Sequence, residues 1–364
     1  MILCTAASVV LFSIFSYLKN EIAFYPTIKS GLPNSNLVQM SICISHKEDA
    51  DGICSATLVK AAFDISKVIL VDYANLIAKL EKVVASDSKI EQLFICDLGL
   101  SKKNEQEFVE LLGKIASDGA EVTYIDHHDI SKEIMQALKK AGVTLIHTVE
   151  ECTSVQVYSK YRKKLPDHAA FFAAMGALTD YMETRPVAST FVPRFDRQFL
   201  MLESTALSYM ISASQHDDDF LVKIVDTLAK MKYPHDIKSG FDTAEKYAKK
   251  VANAVQAIKE SVVELENLAH APSTVELSSS MVVNFVLGSS GKPAAMVYKF
   301  KDDIKSYVVS IRGSADCKVH LGRLTNEIAS ELGGSGGGHD RACGAVIPKD
   351  RLEEFIKTLD TRIA

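Results

Sequence analysis

The stretch LVQMSICISHKEDADG, residues 37–52, decides the fold. Residues 37–45 form an apolar run that reads as a strand, and it leads directly into His46, Asp49 and Asp51 before a helix begins. Strands that are apolar almost throughout belong to parallel sheets covered by helices on both faces. Asp49 and Asp51 are two residues apart, so they share a face of an extended segment. Gly52 permits the tight turn into the helix.

Four more strands of the same kind follow, at residues 67–73, 93–98, 122–125 and 143–146, with helical stretches such as 102–115 and 131–140 between them. Strands alternating with helices predict an α/β fold, here a parallel, doubly wound domain over residues 37–215. Residues 153–162, 169–181 and 195–212 read as further helices. The Lys-, Ala- and Glu-rich stretch at 220–268 has helical periodicity and predicts a connector over 216–272. After Pro272 the pattern changes. Strand-like runs at 275–287, 294–300 and 306–312, a helix at 321–332, a glycine cluster, a strand at 343–347 and a helix at 352–363 predict a smaller α/β domain over 273–364.

A chain of 364 residues that is 47% hydrophobic has enough apolar material for two separate cores. A net charge of -5 argues against a basic surface made for long duplexes. The seven cysteines are odd in number and lack CxxC spacing, which points to reduced, packed thiols in a cytoplasm. Residues 2–18 carry no charge and are followed by Lys19. Three readings of residues 1–36 stand: an extension from an upstream start with Met40 opening the domain, a membrane anchor, or an export signal. Seventeen residues are at the lower limit for a spanning helix. No basic residue precedes the run, as an export signal requires.

Polar residues gather where the parallel strands end. After His46, Asp49 and Asp51 come Asp97 on the third strand, Asp126-His127-His128 on the fourth, and Asp180 at the end of an apolar helix. Ligand sites in open parallel sheets lie outside the carboxyl ends of the strands. Each residue alone has a plainer reading, as a helix cap, a surface acid or a chance histidine pair. Their arrival together at equivalent strand ends favours a site. So many carboxylates in one place repel unless cations neutralise them. Oxygen ligands mixed with imidazole suit Mn²⁺, with Mg²⁺ or Co²⁺ as alternatives. Two such ions about 3.5–4 Å apart can clamp a phosphate and activate a water.

In order, Asp49-Ala50-Asp51, Asp97, Asp126-His127-His128 and Asp180 resemble the motifs of DHH phosphoesterases. Residues 333–344, GGSGGGHDRACG, together with Ser310-Ile311-Arg312, resemble the DHH-associated C-terminal domain. Relatives of this kind include RecJ-like exonucleases, nanoRNases and cyclic-dinucleotide phosphodiesterases. The resemblance implies a first metal on His46, Asp49 and Asp97, and a second on Asp51, Asp97, His127 and Asp180. It implies catalytic roles for Asp97, for His128 facing the substrate phosphate, and for Asp126 orienting a histidine. The glycine cluster adds a physical expectation: Gly336, Gly337 and Gly338 let backbone N–H groups approach an anion, with Arg312, His339 and Arg341 supplying charge. The substrate would be a nucleotide, a short oligonucleotide or single-stranded nucleic acid, and a second copy of the chain is a compatible partner. The alternative is a nucleotide-binding or assembly protein on the same fold that catalyses nothing. Residues 215–219, QHDDD, read as a solvated helix start.

Overall fold

The computed structural model describes residues 39–86 and 88–363. No helix among them is long and apolar enough to cross a membrane. The readings of residues 1–36 lie outside the described residues.

The first sheet is built from β1 (Gln39–His46), β2 (Lys67–Val71), β3 (Lys89–Cys96), β4 (Glu121–Asp126) and β5 (Thr144–His147). Its order is β2-β1-β3-β4-β5, and β1–β2, β3–β4 and β4–β5 pair in parallel. Helices α1 (Ala50–Ala62), α2 (Leu76–Val84), α3 (Glu105–Ser117) and α4 (Lys132–Lys140) connect successive strands. Because β2 lies on one side of β1 and β3 on the other, the chain reverses direction across the sheet between β1 and β3. A crevice opens at such a switch point.

Two apolar cores cover the two faces of this sheet. One includes Leu80, Phe108, Leu112 and Leu138 from α2, α3 and α4. The other packs α1 against α5 (Thr153–Tyr161), α6 (Ala170–Thr179), α7 (Arg197–Ala213) and α8 (Asp218–Leu228). Residues 170–177 of α6, AFFAAMGA, are all buried. That fits a helix without a polar stripe, which can only sit inside a core. Truncating Phe171 or Phe172 to alanine should cost about 3–5 kcal/mol.

Helix α9 (Gly240–Lys259) leads to the second sheet, formed by β6 (Val263–Glu264), β7 (Leu268–Pro272), β8 (Ala294–Lys301), β9 (Ser306–Gly313), β10 (Ser335–Gly338) and β11 (Ala342–Pro348). The order is β10-β11-β9-β8-β7-β6, antiparallel except for the parallel β7–β8 pair. Helix α10 (Ser279–Ser290) covers one face, while α11 (Leu321–Glu331) and α12 (Leu352–Ile363) cover the other.

Three sequence expectations change here. The run at 275–287 is not a strand. Ser278 caps a helix by accepting from the Met281 N–H, and Val282, Val283 and Val286 bury at helical spacing. The second sheet also begins upstream of 272, since β6 and β7 lie inside the stretch read as a helical connector. Finally, the glycine cluster supplies a strand, β10, where the sequence marked none. Gly337 and Gly338 have φ of 151° and 139°, a backbone that side-chain-bearing residues rarely adopt.

Candidate functional site

His46 is the last residue of β1 and is buried, with its Nε2 3.4 Å from Asp49 Oδ2. Asp49 caps α1, where its Oδ1 accepts from the Gly52 N–H at 2.9 Å. One oxygen therefore does the work of a cap and the other faces the histidine. Asp51, two residues on, is fully buried. Its carboxylate accepts from the N–H groups of Thr153 (2.8 Å) and Ser154 (3.0 Å) and from the Ser154 hydroxyl. These donors open α5, so the helix N-terminus stabilises the anion. Helix α6 passes so close that a Cβ at Gly176 would lie 2.5 Å from Asp51 Oδ1. Only glycine fits there.

Asp97 follows β3 and adopts a left-handed backbone, φ 57°, while its N–H still donates to Ile125. A buried non-glycine residue held this way is strained, and such strain concentrates at functional sites. The turn points its carboxylate to Thr153, whose hydroxyl donates to Oδ1 at 3.1 Å. His127 Nε2 lies 3.4 Å from Asp97 Oδ1 and 3.6 Å from Asp180 Oδ2, which brings three separate elements together. Asp126, the last residue of β4, is buried and lies 2.9 Å from His128 Nδ1. It also accepts from the Tyr124 hydroxyl and the His128 N–H. An anion at that distance holds a proton on Nδ1. The other ring nitrogen, Nε2, is 3.1 Å from the Tyr73 hydroxyl.

The electrostatics of this cluster are unfavourable as they stand. Burial, and then the charges of Asp49, Asp51 and Asp126, push Asp97 well above the ordinary carboxylate range. Burial and the neighbouring Asp51, Asp49 and Asp97 raise Asp180 to about 9, with His127 opposing. Two sets of ligating atoms cluster here: Asp97 with His127 and His128, and Asp51 with Cys152 and Asp180. Within each set the atoms lie within 4.8 Å of one another. Carboxylates and imidazoles this close, mutually repelling and shut away from water, form a donor set that fits divalent cations.

Sequence reasoning missed Tyr73 and Cys152, along with Thr153 and Ser154. Tyr73 follows the carboxyl end of β2, the same edge that carries the acids, and its ring stacks on His46 with centroids 4.4 Å apart. The Cys152 thiol is buried like the other described cysteines, and burial and Asp51 push its pKa up. No spacing rule marks it, because it reaches the acids only through the packing of α5.

Of the residues expected to bind substrate, His339 reaches the first domain. It lines a cavity of about 430 Å³ together with Tyr73, Gly99, Leu100, Asn104 and His128. Arg312, Arg341 and the three glycines do not line that cavity. The Arg312 guanidinium donates to the Ile311 carbonyl at 3.0 Å. The turn after the glycine strand is seated on α11, where the Leu321 and Gly322 N–H groups donate to the Asp340 and His339 carbonyls. The side-chain amide of Asn326 donates to the Gly336 carbonyl at 2.7 Å. At Gly338 a Cβ would lie 2.6 Å from the Ala342 carbonyl oxygen, so glycine there permits close packing of backbone on backbone. In residues 215–219, Asp217 caps α8 and Asp218 pairs with Lys47, as a solvated helix start would.

Residues 40–177 match the DHH family, N-terminal domain, and residues 272–364 match the DHHA1 domain. An uncharacterised protein of Methanocaldococcus jannaschii is 32% identical over 130 residues, which is 34% of this chain and 27% of that protein. The match thus spans about a quarter of that relative's length. Among solved structures, the DHH domain of a protein from a ribosomal protein family superposes with a TM-score of 0.65 at 14% identity, covering 89% of this chain and 86% of that one. A pGpG-specific phosphodiesterase from Vibrio cholerae gives 0.57 at 14% identity, covering 89% and 98%. RecJ from Thermus thermophilus in complex with Mn²⁺ gives 0.56 at 14% identity, covering 89% and 52%. At these identities the likeness is one of fold. With both domain matches in order and the motif residues at the ends of the parallel strands, the chain belongs to the DHH family and carries a C-terminal DHHA1 domain.

Proposed function

We propose that this protein is a metal-dependent phosphoesterase that hydrolyses phosphodiester or phosphomonoester bonds in nucleotides, short oligonucleotides or single-stranded nucleic acid. The observation that carries this reading is the burial of Asp51, Asp97 and Asp126 beside His46 and His127, at the carboxyl ends of β1, β3 and β4. Family membership and the fold shared with a phosphodiesterase and a RecJ nuclease support it.

His46, Asp49 and Asp97 would hold one divalent cation, and Asp51, Asp97, His127 and Asp180 the other, with Mn²⁺ as the preferred ion and Mg²⁺ or Co²⁺ able to substitute. Bound there, the cations would supply positive charge to the phosphate oxygens and lower the pKa of a water. The chain's own residues do the rest. Asp126 fixes the His128 ring with the proton on Nδ1. Nε2 is then left beside the Tyr73 hydroxyl, on a residue that lines the cavity. Thr153 and Ser154 hold the Asp97 and Asp51 carboxylates in place, so little reorganisation remains when substrate arrives. His339, from the second domain, would contact the substrate across the cleft.

A hydrolysis panel with Mn²⁺ tests this reading, using a dinucleotide, longer single-stranded RNA and DNA, cyclic dinucleotides and 3′-phosphoadenosine 5′-phosphate. Turnover of at least one substrate that is abolished by chelation is the expected result. No turnover of any of them, by protein shown to contain metal, rejects the reading in favour of a non-catalytic nucleotide-binding role.

A further inference from the structure

A second cavity, of about 640 Å³, shares no lining residue with the one that holds His128 and His339. Its walls are the end of α7, one face of α9 and the start of α10. Both domains and the helix that joins them therefore contribute. The volume lies in the range of small-ligand sites, whose usual make-up is an apolar wall with a few convergent polar groups.

Each wall constrains the ligand. Thr243, Lys246, Tyr247 and Lys250 follow one another at steps of three and four along α9, so they share a face. Off that face, Glu245 pairs with Lys249 at 2.6 Å, and Lys246 makes no ion pair among the described residues. Lys250 lies 3.3 Å from Glu276, but both side chains are exposed, and a pair in water is worth little. Two lysines thus face the cavity against one carboxylate. At the start of α10, Ser278 accepts from the Met281 N–H and no acid stands in the first turn. The positive end of that helix is left without a counter-charge from its own turn, and such helix starts take phosphate oxygens. Tyr247 points to a ligand independently. It is only 9% exposed, and its ring packs on Tyr209 with centroids 5.4 Å apart. It nonetheless lines the cavity, and its hydroxyl has no hydrogen-bond partner among the described residues. A tyrosine buried this far usually gives its hydroxyl a partner. Leu277 and Met281, both half-buried, supply an apolar wall.

We infer that this cavity is a second ligand site, separate from the strand-end acids, and that it takes a small organic phosphate. The phosphate lies between Lys246, Lys250 and the start of α10, with the Tyr247 hydroxyl donating to it, and the organic part rests on Leu277 and Met281. A ligand seated there touches α7 of the first domain and α10 of the second at once. The site goes beyond the phosphoesterase reading and does not depend on it, since none of these residues belongs to the proposed metal set.

Calorimetry with adenosine 5′-monophosphate tests this, on chelator-treated protein so that no cation holds the phosphate at the acids. Adenosine is the comparison without a phosphate. Three variants are set beside wild type: Lys246→Glu, Tyr247→Phe and, as a control on the other cavity, His339→Ala. Lys246 is exposed and phenylalanine keeps the packing on Tyr209, so the fold should persist in both site variants. The monophosphate should bind wild type at least about tenfold more tightly than adenosine, the worth of a charge-assisted hydrogen bond. Lys246→Glu should weaken it by roughly tenfold or more, for the same reason. Tyr247→Phe should weaken it by roughly threefold, the worth of one neutral hydrogen bond. His339→Ala should stay within about twofold of wild type, as a distant independent site does. No saturable binding of the monophosphate by wild type, or equal binding of adenosine, overturns the inference. So does binding that His339→Ala weakens and Lys246→Glu does not.

Discussion

The two domains handle polar chemistry in opposite ways. In the first, Asp51, Asp97 and Asp126 are at most 1% exposed, Asp51 and Asp97 held by donors from α5 and Asp126 by the Tyr124 hydroxyl of its own strand. In the second, His339, Asp340 and Arg341 stand exposed on a turn whose carbonyls are anchored to α11. Burying a carboxylate beside others is costly unless a positive charge compensates. Leaving a histidine at the rim of a cleft costs little. The buried set therefore suits chemistry on cations held in fixed positions, and the exposed set suits contacts that form and break with the substrate. On this contrast, substitutions in the first domain should change metal binding and rate together, and those in the second should change substrate binding alone.

The largest effect should come from Asp97→Asn. It removes charge from the residue expected to serve both metals, so hydrolysis should fall by about a thousandfold or more. The fold should persist, because the amide keeps the shape and relieves the repulsion around Asp51 and Asp126. Activity within about tenfold of wild type, measured with saturating Mn²⁺, would break the assignment.

A pair of glycine substitutions sharpens the contrast. Gly176→Ala puts a methyl group against Asp51, while Gly322→Ala puts one against the Gly338 carbonyl. Both overpack, which should lower stability by about 1–3 kcal/mol each in urea unfolding. Only Gly176→Ala should also weaken Mn²⁺ binding, by roughly tenfold, the equivalent of about 1.4 kcal/mol. Equal effects on metal affinity would mean that the two domains are not separable in this way.

The third effect is on pH. The carboxyl pKa values of Asp97 and Asp180 lie above their unfolded values, so between those values the folded state binds more protons than the unfolded one. Stability of the metal-free protein should then fall as pH rises from about 4, the ordinary carboxylate value, towards the value near 9 for Asp180. Saturating Mn²⁺ should flatten that decline, since a cation favours the ionised acids. Differential scanning fluorimetry across the neutral range, with and without Mn²⁺, checks this. A metal-free protein that becomes more stable with rising pH would contradict it.

The smallest effect concerns the second domain. His339→Ala should raise KM by about tenfold, the worth of one charge-assisted hydrogen bond, and leave Mn²⁺ affinity unchanged. Arg312→Ala should change KM by less than about threefold, well below the worth of such a bond, because its guanidinium turns back onto its own strand. A larger loss for Arg312 than for His339 would show that another part of the second domain meets the substrate.

Much of this was legible in the sequence, for physical reasons that also mark where legibility ended. The five parallel strands announced themselves because strands buried on both faces have little choice but continuous apolar composition. The acids were legible because ligand sites gather at the carboxyl ends of such strands. By contrast, β7 reads LAHAP, with two alanines and a terminal proline, and nothing local marks it as a strand. The valines of α10 favour a strand locally, and the Ser278 cap together with burial overrides them. Gly337 and Gly338 of β10 could not be read as a strand, since their backbone lies where strand propensities do not apply. Tyr73 and Cys152 join the site only through tertiary packing, although Tyr73 follows the same strand-end rule that located the acids.

The central claim is that bound cations keep the buried acids of the first domain ionised. The direct test is a calorimetric titration of chelator-treated protein with Mn²⁺ near neutral pH, for wild type and Asp97→Asn. The account predicts two equivalents per chain in wild type, with one or both lost or greatly weakened in the variant. No Mn²⁺ binding by wild type, or the same stoichiometry and affinity in both proteins, would contradict it.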